Sequence, residues 1–152
     1  MATVYLETSF ISACVTNGRD PGSTYRKNIS LAWWKSQRQY HDLYVSAEVQ
    51  RELDSPTYPR RLAALKWIQN IPMLPIDDAV RNFAALLIEK KAMPGPLGGD
   101  SIHVALSVMR GVEFILSWNI RHLANPNKMV HLSVICSRIG WQVPQIITPQ
   151  SL

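Results

Sequence analysis

Only two cysteines, Cys14 and Cys136, occur in 152 residues, far apart and each within an apolar stretch. That scarcity excludes a disulfide scaffold and points to free, buried thiols in a reducing compartment. No apolar run approaches the roughly 18 residues of a membrane span, and Met1-Ala2-Thr3 lacks the basic start of a secretory signal. Together these absences read as a cytoplasmic protein without membrane association. Zinc chemistry is disfavoured, because His103, His122 and His131 lack ligand spacing and no paired-cysteine motif exists. The loop Leu97-Gly98-Gly99-Asp100 lacks the Lys-Ser/Thr ending of a phosphate-cradling loop, and neither Ser9 nor Ser46 has nucleophile-elbow context.

Acids are also scarce: eleven Asp and Glu stand against sixteen Lys and Arg, a formal charge of +5. The basic residues are spread along the chain rather than gathered in a tail, which suits either an anionic partner or a solubilising surface. A chain of this length buries about 70% of its unfolded surface as one domain, and no linker, repeat or low-complexity tract divides residues 1–152.

Val4 to Leu6 is a β-prone run, and Thr8 or Ser9 is placed to cap a helix from about Phe10. The turn-forming GRDPGS at 18–23 precedes a helical stretch in which Tyr25, Ile29, Ala32, Trp33 and Tyr40 fall near helical spacing. Further strands are expected at Leu43 to Val45, Met73 to Ile76, Phe114 to Leu116 and Ile146 to Thr148. Helices are expected after Ser46, from Pro59 to Asn70, from Ala79 to Lys91 behind Asp77, from Asp100, and from Met129 to Arg138. No Asn-Gly hairpin signal joins two strand-like runs, so the alternation predicts an α/β domain with a mainly parallel sheet. Ligands of such sheets bind at the carboxyl ends of the strands.

Glu7 stands at such an end, in VYLETSFIS. A carboxylate in apolar surroundings needs a partner, a raised pKa or a metal. Glu52, Asp100 and Asn119 also follow strands or open helices, and a parallel sheet brings all four to one edge. Clustered oxygen ligands suit Mg²⁺ or Mn²⁺. Taken singly, Glu52 reads as a solvated helix residue, Asp100 as a helix cap and Asn119 as a turn residue. Glu48 shares a helix face with Glu52, and spacing does not choose between them. Of Trp33 and Trp34, at least one is expected in the core or at an interface.

The segments VYLETSFIS, YVSAEVQREL, GGDSIHVALSV, FILSWNIRHLAN and PQIITPQSL, in this order, resemble the PIN-domain family, and within it the VapC-like ribonuclease toxins of toxin-antitoxin pairs. The resemblance implies a three-layer α/β/α sandwich and metal-dependent cleavage of RNA. It places the first, second and third acids at Glu7, Glu52 and Asp100 as Mg²⁺ or Mn²⁺ ligands, with Asn119 at the fourth acidic position and Thr8 or Ser9 as the hydroxyl after the first acid. It prefers Glu52 over Glu48. An antitoxin partner and a homodimer are implied as well, with Trp33, Trp34 and Tyr40 as candidate interface residues by their apolar character. Two departures stand out: Glu7 where Asp is usual, and a neutral Asn119. They keep open an alternative, a catalytically weakened PIN-fold module that binds RNA or a partner protein.

Overall fold

The computed structural model describes residues 1–152. Five strands, β1 (Ala2–Leu6), β2 (His41–Ser46), β3 (Met73–Leu74), β4 (Phe114–Leu116) and β5 (Gln145–Ile147), form one sheet in the order β3-β2-β1-β4-β5. Every neighbouring pair is parallel. Helices fill the crossovers: α1 (Thr8–Val15), α2 (Pro21–Gln37), α3 (Ala47–Leu53), α4 (Arg61–Ile68), α5 (Asp78–Glu89), α6 (Asp100–Met109), α7 (Ile120–Leu123) and α8 (Pro126–Arg138). Helices α1 to α4 pack on one another, and α6 packs on α5 and α7. The result is the expected α/β/α sandwich. Because the chain steps outward from β1 through β2 to β3 and then returns to β4, the loops leaving β1 and β4 part to opposite faces. This crevice is the topological switch point at which such sheets bind ligands.

The central strand explains the apolar start of the chain. Val4, Tyr5 and Leu6 are all fully buried, as a strand covered on both faces requires. Register then places the acid: Leu6 pairs with Leu116, so Glu7 and Ser117 emerge side by side. The far edge is shorter than the apolar run Met73 to Ile76 suggests. Pro72 accepts from the Val45 N–H at 3.0 Å but has no N–H to return, and Pro75 closes the other end, leaving a two-residue β3.

Capping decides the helix starts. Asp20 accepts from the Ser23 N–H ahead of Pro21, Asp77 from Val80, Ser46 from Glu48 and Val49, and Asn125 from Asn127 ahead of Pro126. The last pair starts α8 three residues before the expected Met129. The four-residue α7 has no periodicity long enough to be read from sequence.

Trp33 is buried and packs edge-on against Phe10 at 5.6 Å. It is therefore a core residue, which corrects its candidacy as an interface side chain. Trp34 is half-buried against Trp67, and Tyr40 is exposed. Both cysteines are free and buried, and burial pushes the Cys14 thiol up to about 12 while Lys27 pulls it slightly down. Neither thiol is expected to react with a thiol-directed chromogenic disulfide at pH 8 on the timescale on which unfolded protein releases two equivalents; rapid native labelling contradicts this packing. No helix is long and apolar enough to cross a membrane.

Candidate active site

Glu7 is the residue on which the sheet edge is organised. Its backbone N–H extends the β1 ladder to the Leu116 carbonyl at 3.1 Å, and its side chain caps α1. The expectation that Thr8 or Ser9 caps this helix is thus corrected: β1 runs into α1 with no spare residue, and the acid itself occupies the cap. Only 4% of the residue is exposed. The carboxylate accepts from the Ser9 N–H at 3.1 and 3.0 Å, from the Ser9 hydroxyl at 2.7 Å and from the Ser117 hydroxyl at 3.0 Å. Each hydroxyl in turn accepts a backbone N–H from the turn after β4: Trp118 to Ser9 and Asn119 to Ser117, both at 2.8 Å. The buried charge is therefore met by dipoles, namely two polarised hydroxyls and the amino end of α1.

Glu52 reaches the same edge from α3. Its Oε1 accepts from the Thr8 hydroxyl at 2.5 Å and from His103 Nε2 at 2.6 Å. Behind His103 runs a buried chain: Nδ1 to the Tyr5 hydroxyl at 2.6 Å, and Tyr5 to Ser46 Oγ at 2.7 Å. Burial opposes charge on His103, but the bond to Glu52 and the nearby Glu7 and Glu48 outweigh it, raising its pKa. Burial likewise pushes Glu52 up, and His103 with the Thr8 hydroxyl more than reverses this. The Tyr5 hydroxyl thus bridges the His103 ring and the Ser46 hydroxyl. Burial, reinforced by the three glutamates, holds the Tyr5 phenol well above its ordinary value against the Ser46 bond.

Lining a cavity with Asp100 and the Gly98-Gly99 loop, Glu48 is close enough to Glu52 and His103 to act on both. Arg51 grips it with two bonds, at 2.9 and 2.6 Å, and Gly99 donates its N–H at 2.5 Å. The Arg51 bonds, opposed by desolvation and aided by Gly99, hold its carboxyl below the usual range. Gly98 and Gly99 carry positive φ of 127° and 55°, which lets this loop turn tightly against Glu48 and pass beside Glu52. Asp100 follows as the first residue of α6, half-buried, and its side chain has no hydrogen-bond or ionic partner in the structure. Asn119 precedes α7 and offers no side-chain cap.

The structure thus ties Ser9 to Glu7 and Thr8 to Glu52 at adjacent positions, sets Asp100 in a cavity with Glu48 and Arg51, and leaves Asn119 on the turn that supports Ser117. No three His, Cys, Asp or Glu side chains are gathered closely enough to hold a metal ion as they stand. The donors fit a hard divalent cation in kind, though not gathered around one point: all are oxygens, the Asp100 carboxylate is unpaired, and Mg²⁺ takes few carboxylates and completes its shell with water. Sequence reasoning missed Ser117, Tyr5 and the linking role of His103. The one signal for them was that His103 lies one turn after Asp100 on a helix whose apolar face is buried.

No family model and no curated protein matches this chain. Solved structures do. FitAcB from Neisseria gonorrhoeae superposes with a TM-score of 0.60 at 13% identity, over 98% of this chain and 99% of that chain. VapBC2 from Rickettsia felis, bound to a DNA fragment from its promoter, gives 0.55 at 12%, over 96% and 98%. The chain has the PIN-like fold these structures share.

Proposed function

We propose that this protein is a metal-dependent ribonuclease, the toxin of a toxin-antitoxin pair, with Glu7, Glu52 and Asp100 as its metal ligands. The observation that carries the reading is the Glu7 carboxylate, held nearly dry at the switch point by the Ser9 and Ser117 hydroxyls, with Glu52 bonded to the adjacent Thr8. Support for the toxin role comes from the solved structures of like fold, which are toxin-antitoxin complexes. By the same likeness an antitoxin is the expected protein partner, and RNA as the substrate rests on the sequence resemblance to the ribonuclease toxins.

Bound at these oxygens, Mg²⁺ or Mn²⁺ would supply an acidified water and offset charge on the scissile phosphate. The protein's own groups do the rest. Ser9 and Ser117 fix the Glu7 carboxylate, while Thr8 and His103 fix one oxygen of Glu52 and leave the other free. Glu48 holds the Gly98-Gly99 turn and through it the position of Asp100. Asn119 presents an amide that orients water or substrate without taking a proton. Arg51, largely exposed beside the loop, faces solvent where a phosphate backbone passes.

Cleavage of RNA in Mg²⁺ or Mn²⁺ is the test, and Asp100→Asn is expected to lower the rate by about a hundredfold or more. Undiminished activity in that variant sinks the assignment. The wide spacing of the acids, together with the neutral Asn119, favours one second reading, a PIN-fold module that binds RNA or a protein without cutting. Calorimetric titration separates the two, since the module need not bind Mg²⁺ at millimolar concentration.

A further inference from the structure

A cavity of about 310 Å³ opens between α1, the first turns of α2 and the turn after β4. Its volume lies at the small end of ligand pockets, the scale of one nucleotide unit rather than a duplex. Four hydroxyls line it, from Ser9, Ser12, Thr16 and Ser23, together with the Arg26 guanidinium and the Trp118 indole. The Ser12 hydroxyl is spent on no protein partner, the Ser23 hydroxyl is turned to the Asp20 carboxylate, and Arg26 is exposed and belongs to none of the ion pairs of the structure. Asp20 caps α2 through the Ser23 N–H, and its carboxylate lies near enough to Arg26 to feel the guanidinium charge.

The indole is held in place. Its N–H donates to the buried Ser30 hydroxyl at 2.8 Å, and Tyr25 packs edge-on at 6.4 Å. Tyr25 is itself in contact with Gln150. A fixed, partly exposed ring beside a guanidinium outside any ion pair and the free Ser12 hydroxyl is the combination that takes an unpaired base and the phosphate next to it. Ser9 connects this cavity to the acids, because the hydroxyl in its wall is the one bonded to Glu7.

We propose that the cavity is a nucleotide subsite for single-stranded RNA, resting on the ribonuclease reading above. Arg26 and Ser12 hold a backbone phosphate, Trp118 stacks on the adjoining base, and the strand continues past Ser9 to Glu7. Duplex RNA is excluded from the subsite, since its bases have no free face.

The test is fluorescence anisotropy of a short labelled oligouridylate with the full chain in EDTA, where binding is read without cleavage. Arg26→Gln is expected to weaken binding about tenfold and to reduce the salt slope by about 0.7, the signature of one phosphate contact on a single strand. Trp118→Leu is expected to lose about tenfold and Trp118→Phe to retain most of the affinity, with thermal melts reporting folding. Lys90→Gln, at the exposed end of α5, serves as a control expected to change little. Equal losses in Arg26→Gln and Lys90→Gln overturn the subsite, as does equal binding of duplex RNA or no binding of the oligouridylate at all. Cleavage in Mn²⁺ keeps the two proposals apart. Wild-type cleavage that Arg26→Gln and Trp118→Leu leave undiminished overturns the subsite alone, whereas Arg26-dependent binding without any cleavage upholds the subsite and overturns the nuclease.

Discussion

Glu7→Gln is expected to lower RNA cleavage by about a hundredfold or more while the protein stays folded. The amide matches the carboxylate in shape and keeps one oxygen to accept the Ser9 N–H. Its NH₂ meets the Ser9 or Ser117 hydroxyl, and each of these has a second lone pair beyond the one used by the backbone N–H of Trp118 or Asn119. The hydroxyls therefore rotate and the helix cap persists. What disappears is the negative charge, and with it the strongest attraction for a divalent cation at this edge. Glu7→Ala is a different experiment, since it also removes the cap of α1 and lowers stability by about 1 kcal/mol or more. Cleavage of labelled RNA alongside thermal melts of both variants distinguishes the effects. A fully active Glu7→Gln protein rules out this carboxylate as a metal ligand.

His103→Ala is expected to be the most destabilising change at the site, by about 2–4 kcal/mol. The ring is fully buried, and its removal leaves a cavity and strands the Tyr5 hydroxyl on one side, which keeps only Ser46. The loss on the Glu52 side is smaller, because 29% of that side chain is exposed and water replaces part of the bond. The effect depends on pH. His103 is raised above its ordinary 6.5, so its contribution is whole below that value and fades as pH climbs through the raised one. Glu52 is lowered from 4.5, so its contribution is present above 4.5 and fades as pH falls through the lowered one. Urea titrations in EDTA should find the wild type furthest ahead of the variant between these two values. A difference that is flat with pH shows that the ring acts by packing alone.

The parallel sheet and seven of the eight helices were legible because each rests on a local signal: a short β-prone run, an apolar stripe or an acid or hydroxyl at a cap. The misplacements arose where one residue serves two elements. Glu7 ends a strand and caps a helix at once, and nothing in VYLETSFIS distinguishes it from Thr8 or Ser9 as the cap. Pro72 and Pro75 shorten β3 through missing N–H groups, which an apolar run conceals. The different surroundings of Glu48 and Glu52, four residues apart on one helix, depend on what lies opposite each. Arg51 and the Gly99 N–H take the first, while Thr8 and His103 take the second. His103 itself looked like an ordinary helix residue, since its partners, Tyr5 and Glu52, are distant in sequence.

The pairing of Leu6 with Leu116 has a consequence for inheritance. Glu7 meets Ser117 because two strands stop level with each other, and a slip of one residue would bring Trp118 to that place. Lineages descended from such a protein are free to exchange nearly every apolar side chain for another of similar volume, provided that alignment survives. A fold held by a backbone offset rather than by spelling tolerates many apolar sequences, and likeness in three dimensions is found here at 12–13% identity.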